Sequence, residues 1–266
     1  QVDIISAPPP REFNRLKTMP NVAGASRPTL GGSLLMFTNN LKAPFDDVNF
    51  RKALACATDR KTIADKVYYG LLDPTGGLAP PRGWWYNPEA DKEIAFDLER
   101  AKQFLAKSKY PNGAEIDISI QAEPYLLDTK DAAIFLQAQL AKIGIKLNLK
   151  VYEFSVLIQQ IARGEHQMAM QVYMSPGEPT YTIANTVMPG QFLSKSTGYD
   201  NAELNALMSA AFAESDQAKL KDIYGKMQMI LARDAPIGVL GFVHASNLWR
   251  QGVQDFKVNQ ALTMSV

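Results

Sequence analysis

The sequence predicts an α/β fold in which an open sheet carries helices on its faces. Three alternating stretches point to it: Ile116-Ile118-Ile120, Ile145-Leu147-Leu149-Val151 and Met168-Met170-Val172. Two helical stretches separate them. Ala133, Leu136, Leu140 and Ile143 recur at helical spacing and close at Gly144, and residues 154–163 close at Gly164. A side-chain period of two that alternates with one near 3.6 is the mark of strand–helix–strand units.

The remaining elements follow in order. Val2-Asp3-Ile4-Ile5 reads as a short strand, Pro8-Pro9-Pro10 breaks it, and a short helix runs to Thr18. A second apolar run, Leu34-Leu35-Met36-Phe37, follows Gly31-Gly32. These first forty residues are too broken to own a core, and they read as the edge of a larger body. Asp47 is placed to cap a helix over 48–57, and Asp59 to cap the next turn toward Tyr68 and Gly70. Residues 73–92 are rich in Gly and Pro, carry Trp84 and Trp85, and predict a long ordered loop. Asp97 caps a helix with Ala101, Phe104 and Leu105 on its apolar face.

After the third strand, Tyr173–Tyr181 stops alternating and reads as an irregular loop. Asp200-Asn201-Ala202-Glu203 is a capping-box variant with Asp200 as the cap, and Asp216 caps a longer helix with Leu220, Ile223, Met227 and Ile230 inward. Ile237–Val243 is a strand, followed by a loop and Val253–Val258. No internal repeat or low-complexity tract occurs.

Composition narrows the function. With 266 residues, 46% hydrophobic and 21% charged, the chain can bury a full core without staples. Its net charge of +1 gives no field that would steer it to nucleic acid, and no nucleic-acid partner is expected. Cys56 is the single cysteine, so no internal disulfide can form, and Leu54-Ala55-Cys56-Ala57 reads as a buried filler. No G-x-S-x-G elbow, H-E-x-x-H, C-x-x-C, P-loop or dinucleotide fingerprint occurs. His166 and His244 lie far apart without cysteine company; His166 reads as solvated beside Glu165, and His244 as half-buried after a strand. No metal, cofactor or catalytic residue is therefore expected.

The run Leu35-Met36-Phe37-Thr38-Asn39-Asn40 is followed by Pro44-Phe45-Asp46-Asp47-Val48-Asn49-Phe50-Arg51-Lys52-Ala53-Leu54 and then Asp59-Arg60. It resembles the central signature of the extracellular solute-binding proteins of family 5, which serve ABC importers of peptides, nickel and oligosaccharides. Three further segments are similar in the same order. They are Pro80-Pro81-Arg82-Gly83-Trp84-Trp85-Tyr86-Asn87-Pro88, then Asp97-Leu98-Glu99-Arg100-Ala101-Lys102 with Tyr110-Pro111-Asn112-Gly113, and Gln137-Ala138-Gln139-Leu140-Ala141-Lys142-Ile143-Gly144-Ile145.

The resemblance implies a periplasmic-binding-protein-like fold of the class II type, represented by its large carboxy-terminal lobe with a mixed sheet flanked by helices. Family members are about twice this length, so a fragment is expected. Residues 1–40 would be a segment of the first lobe, 41–236 the carboxy-terminal lobe and 237–266 the return segment, with hinge points at Asn39 and Val239. The implied partners are a small or peptide-like solute and the ABC permease subunits. The implied state is a monomer, periplasmic or extracellular and membrane-tethered, without catalysis. Two other readings remain: an enzyme with an unrecognised cleft site, and a stand-alone interaction module that uses the aromatic 84–86 loop.

Ligands of open α/β sheets favour the loops past strand carboxyl ends, which places the candidate site at Tyr173–Tyr181. Tyr173 and Tyr181 offer flat walls with hydroxyl handles, Ser175 and Glu178 offer hydrogen bonds, and Trp85 is either an opposite wall or a packing residue. By resemblance, Ser175 stands where the peptide-binding branches carry an aspartate that pairs with the peptide's ammonium terminus, and an uncharged hydroxyl cannot make that pair. Glu178 either replaces it or shapes the turn before Pro179. Asp59 and Arg60 are read as structural. Asp59→Ala should lower stability by about 1 kcal/mol in chemical denaturation, as lost helix caps do.

Overall fold

A computed structural model describes residues 2–123, 128–191 and 193–258. Among them seven strands form one mixed sheet: β1 (Ile4–Ser6), β2 (Val22–Thr38), β3 (Leu72–Pro74), β4 (Glu115–Gln121), β5 (Lys146–Tyr152), β6 (Met168–Met174) and β7 (Gly238–Arg250). Their order is β1-β7-β2-β6-β4-β5, and β3 also pairs with β7. The predicted units β4, β5 and β6 are parallel to one another, while β2 runs antiparallel to both β6 and β7.

The helices are α1 (Pro10–Leu16), α2 (Val48–Ala57), α3 (Arg60–Thr62), α4 (Pro88–Glu93), α5 (Leu98–Ala106), α6 (Thr129–Ala141), α7 (Phe154–Ala162), α8 (Pro179–Val187), α9 (Ser194–Thr197), α10 (Ala202–Ala213) and α11 (Gln217–Asp234). A π-helical turn, Ile63–Val67, continues α3. Most start where carboxylates or amides accept orphan backbone N–H groups. Asp47 accepts from Asn49 and Phe50, Asp59 from Thr62, Asp97 from Arg100 and Asp216 from Lys219. The cap of α10 is Asn201, which accepts from Leu204 N, and not Asp200, whose carboxylate takes the Asn205 amide instead.

The sheet separates two cores. Leu34 and Met36 of β2 join Phe50, Leu54, Leu105, Leu136 and Leu140 from α2, α5 and α6 on one face. Leu35 and Phe37 join Leu157, Ile183, Leu204, Met227 and Ile230 from α7, α8, α10 and α11 on the other. Each such side chain contributes roughly 1.5–3 kcal/mol on leaving water. Four consecutive apolar residues are what a strand covered on both sides requires.

The expected segment boundary at residue 40 is not where the cores divide. The outer part of β2 lies with β1 and α1 near a small cluster of Phe13, Leu71 and Leu248. Residues 32–38 instead pair with β6 inside the main sheet. Asn39 and Val239, expected at the hinge, are both hydrogen-bonded to neighbouring segments. The Asn39 amide donates to the carbonyls of Gly164 and His166, and Val239 pairs with Leu35 while its carbonyl accepts from Arg60 Nε at 2.7 Å. Of the expected return segment, 259–266 lie outside the described residues.

Of the histidines, His244 is half-buried as expected but sits within a strand rather than after one, and His166 differs more. His244 lies within β7, and its Nε2 meets Asp73 Oδ1 at 2.9 Å. His166 is 3% exposed rather than solvated, and neither ring nitrogen makes a hydrogen bond of ordinary geometry. Burial pushes its imidazole pKa down to about 4; the Gln160 backbone opposes this in part and the Lys42 charge adds to it. The unfolded chain therefore takes up a proton below about pH 6.5 that the folded chain refuses, and stability falls as pH drops from there toward 4. Unfolding free energy should lose about 2 kcal/mol between pH 7 and pH 5 through this group. In denaturant titrations at both pH values, His166→Leu should shrink the drop by that amount.

Candidate functional site

The segment after β6 is built from its own hydrogen bonds. Met174 ends the strand, and Ser175 N still donates to Gly31 O at 2.8 Å. Gly177, at φ +79°, turns the chain, and its N–H donates to Ser175 Oγ at 3.2 Å. The same hydroxyl shares a hydrogen bond with Thr182 Oγ1 at 3.0 Å. Helix α8 then begins at Pro179, with Glu178 as its N-cap accepting from the N–H groups of Thr180 and Tyr181. The irregular loop predicted to reach Tyr181 is thus only the turn 175–178, and Tyr181 stands on the first turn of a helix. The signal was present in the sequence, since an acidic cap followed by Pro at the first helical position opens helices.

Each candidate residue now has a place. Tyr173 is 9% exposed, and its phenol oxygen accepts from Asn185 Nδ2 at 3.0 Å. Burial pushes its pKa up to about 12, so it remains a neutral hydroxyl. Ser175 is half-buried and Glu178 exposed, and both use side-chain oxygens to hold the local backbone. Tyr181 is 48% exposed and available as a flat wall. Trp85 is 2% exposed and sits edge-on to Tyr224 with ring centroids 5.8 Å apart, which is a packing position.

Sequence reasoning passed over Trp84, which is 40% exposed and meets Tyr224 in the same edge-on way. The Tyr224 hydroxyl in turn bonds Thr180 of α8, so Tyr224 joins the aromatic loop to the base of the helix. Nothing local distinguishes the two adjacent tryptophans; their roles come from the side of the loop each occupies. Thr182 and Asn185 were also missed, because they matter only once α8 is recognised as a helix.

The face therefore offers hydroxyls, an exposed tyrosine, an exposed indole and one carboxylate committed to a helix start. It pairs no nucleophile with a base. A partly open cavity lined by Arg60, Asp91, Gln228 and Val239 has a volume of about 30 Å³, room for about one water, and none of residues 173–181 lines it. Among the described residues no group of three or more His, Cys, Asp or Glu is placed to hold a metal ion, and no helix is long and apolar enough to cross a membrane.

The lobe thus combines a mixed sheet with a group of hydroxyl and aromatic side chains at the end of β6. Residues 1–194 match the family described as bacterial extracellular solute-binding proteins, family 5 Middle, and the chain belongs to that family. It is 30% identical over 241 residues to heme-binding protein A of Haemophilus influenzae, covering 88% of this chain and 43% of that protein. It is 25% identical over 265 residues to the dipeptide-binding protein of Escherichia coli, covering 97% and 49%. Among solved structures, the periplasmic binding protein DppA of Helicobacter pylori in complex with the peptide STSA superposes with a TM-score of 0.83 at 25% identity, over 98% of this chain and 52% of that one. HbpA2 of Haemophilus parasuis superposes with a TM-score of 0.85 at 25% identity, over 98% and 52%. The fold is thus that of the family-5 periplasmic binding proteins, and the chain spans about half the length of the relatives it matches.

The two tryptophans should separate cleanly by substitution. Trp85→Ala should cost about 3–5 kcal/mol of stability and Trp84→Ala about 1 kcal/mol or less, read from denaturant midpoints.

Proposed function

We propose that the chain is the carboxy-terminal half of the substrate-binding component of an ABC importer, and that it captures a small solute rather than transforming one. The observation that carries this is family membership over residues 1–194, and the hydroxyl and aromatic groups at the end of β6 are those proposed to meet the solute. Relatives named for heme and for dipeptides support a solute of organic character with flat or peptide-like parts. Tyr181, Tyr173, Ser175 and Glu178 are the contacts proposed on this half, with Trp84 rather than the buried Trp85 as the aromatic neighbour. Because Ser175 is uncharged and Glu178 is occupied with α8, a peptide held through a free ammonium terminus is disfavoured.

In this reading residues 41–236 form the large lobe, and 1–40 and 237–266 reach toward the first. The turning points proposed are the two crossings near Asn39 and Val239, with the register shifts of the β2/β7 ribbon beside them. The protein works as a monomer outside the cytoplasmic membrane, periplasmic or tethered, and hands its solute to permease subunits.

The test begins with native mass spectrometry of the full-length protein purified without denaturation, which weighs any co-purifying solute. In calorimetry with that solute, Tyr181→Ala should weaken binding about tenfold or more, and this half alone should bind at least tenfold more weakly than the whole. If Tyr181→Ala, Tyr173→Ala and Ser175→Asp all stay folded and change affinity by less than about 0.5 kcal/mol, the site lies elsewhere.

A further inference from the structure

The β2/β7 ribbon is interrupted beside the candidate face. Pairing passes from Pro28↔His244 to Ser33↔Phe242, so Thr29, Leu30, Gly31 and Gly32 all stand opposite Val243. This is a large irregular bulge of four residues against one, and a side chain closes it from within. Thr29 is 1% exposed, and its hydroxyl donates to Val243 O at 2.8 Å and accepts from Gly32 N at 3.1 Å.

The other side of the bulge rests on the turn after β6. Gly31 O accepts from Ser175 N, and a Cβ on Gly31 would stand 1.9 Å from Ser175 O and 2.8 Å from Gly177 N. A Cβ on Gly177 would in turn lie 3.0 Å from that of Leu30. These are backbone-to-backbone approaches that only glycine permits, with no flexible side chain to absorb a displacement. On the far side, Val243 pairs with Leu72 of β3, and His244 contacts Asp73. Four segments are thus in register through the bulge: β3, β7, β2 and the turn 175–177.

We infer that the Thr29–Gly32 bulge is the positioning element of the Ser175–Gly177 turn, through which a change in the bend of the β2/β7 ribbon is transmitted to the candidate solute face. The inference rests on the proposed solute site for its meaning but not for its test. Thr29 acts through the hydrogen bonds to Val243 and Gly32, and Gly31 through contact with Ser175. Neither is proposed to touch the solute.

Amide hydrogen exchange by NMR on the 266-residue chain, with no solute present, reads the coupling directly. Thr29→Val keeps the shape and removes the bridge to β7; Gly31→Ala forces the bulge and the turn apart. Both should speed exchange at the Ser175 and Gly177 amides at least tenfold, while β5 amides stay within about twofold of the parent. Thr29→Ser keeps the hydroxyl and should restore slow exchange. Unchanged exchange at Ser175 and Gly177 in folded Thr29→Val would overturn the inference, and so would an acceleration shared equally by β5. If Gly31→Ala does not fold, the Thr29 pair decides alone. Failure here would leave the solute site to be judged by calorimetry, and failure of the calorimetry would leave this coupling intact.

Discussion

The structure depends on one constraint, the burial of β2 on both faces. Leu34 and Met36 point into one core and Leu35 and Phe37 into the other, so this strand divides the helices into two sets. Because β2 also lies between β6 and β7, both edges of its backbone are used. The neighbouring β7 is held by a second unusual device. The buried guanidinium of Arg60 donates to the carbonyls of Val239, Ala55, Thr58 and Ile94. One side chain thereby ties the α2–α3 junction, the end of α4 and β7 together. Charge-assisted bonds to carbonyls offset part of the cost of burying that charge.

Much of this was legible in the sequence where the cause is local. The caps Asp47, Asp59, Asp97 and Asp216 act through backbone groups two or three residues away, so their spacing announces them. β4, β5 and β6 declare themselves by alternation against helix-covered faces. The long β2 and β7 were legible only in their apolar inner parts. Their outer halves carry Gly24, Arg27, Pro28, Ser246 and Asn247 and are strands because they pair with each other across some two hundred residues. No window along the chain reports such pairing. His166 was misread for a related reason: its neighbour Glu165 is exposed, but His166, two residues before β6, is buried.

The candidate face was legible as a place and not as a set of roles. The loss of alternation at Tyr173 and the run Ser175-Pro176-Gly177 marked an irregular backbone beyond a strand end. Which oxygens remain free there depends on partners that appear only in three dimensions: Gly177 and Thr182 for Ser175, Asn185 for Tyr173, and the start of α8 for Glu178. These bonds hold the face in shape through the protein's own groups.

The last strand in the order, β5, bears on how copies of this protein meet in concentrated solution. Among the described residues it pairs only with β4, and its other edge is unpaired. That side of the sheet carries exposed Lys146 and Lys150, matched across to Glu115 and Asp117 of β4. Charged side chains on a terminal strand make it a poor template for a strand from another molecule, because stacking copies would bring like charges together and strip their water. The ion pairs add little to folding at such exposure. On a terminal strand such charges disfavour edge-to-edge pairing.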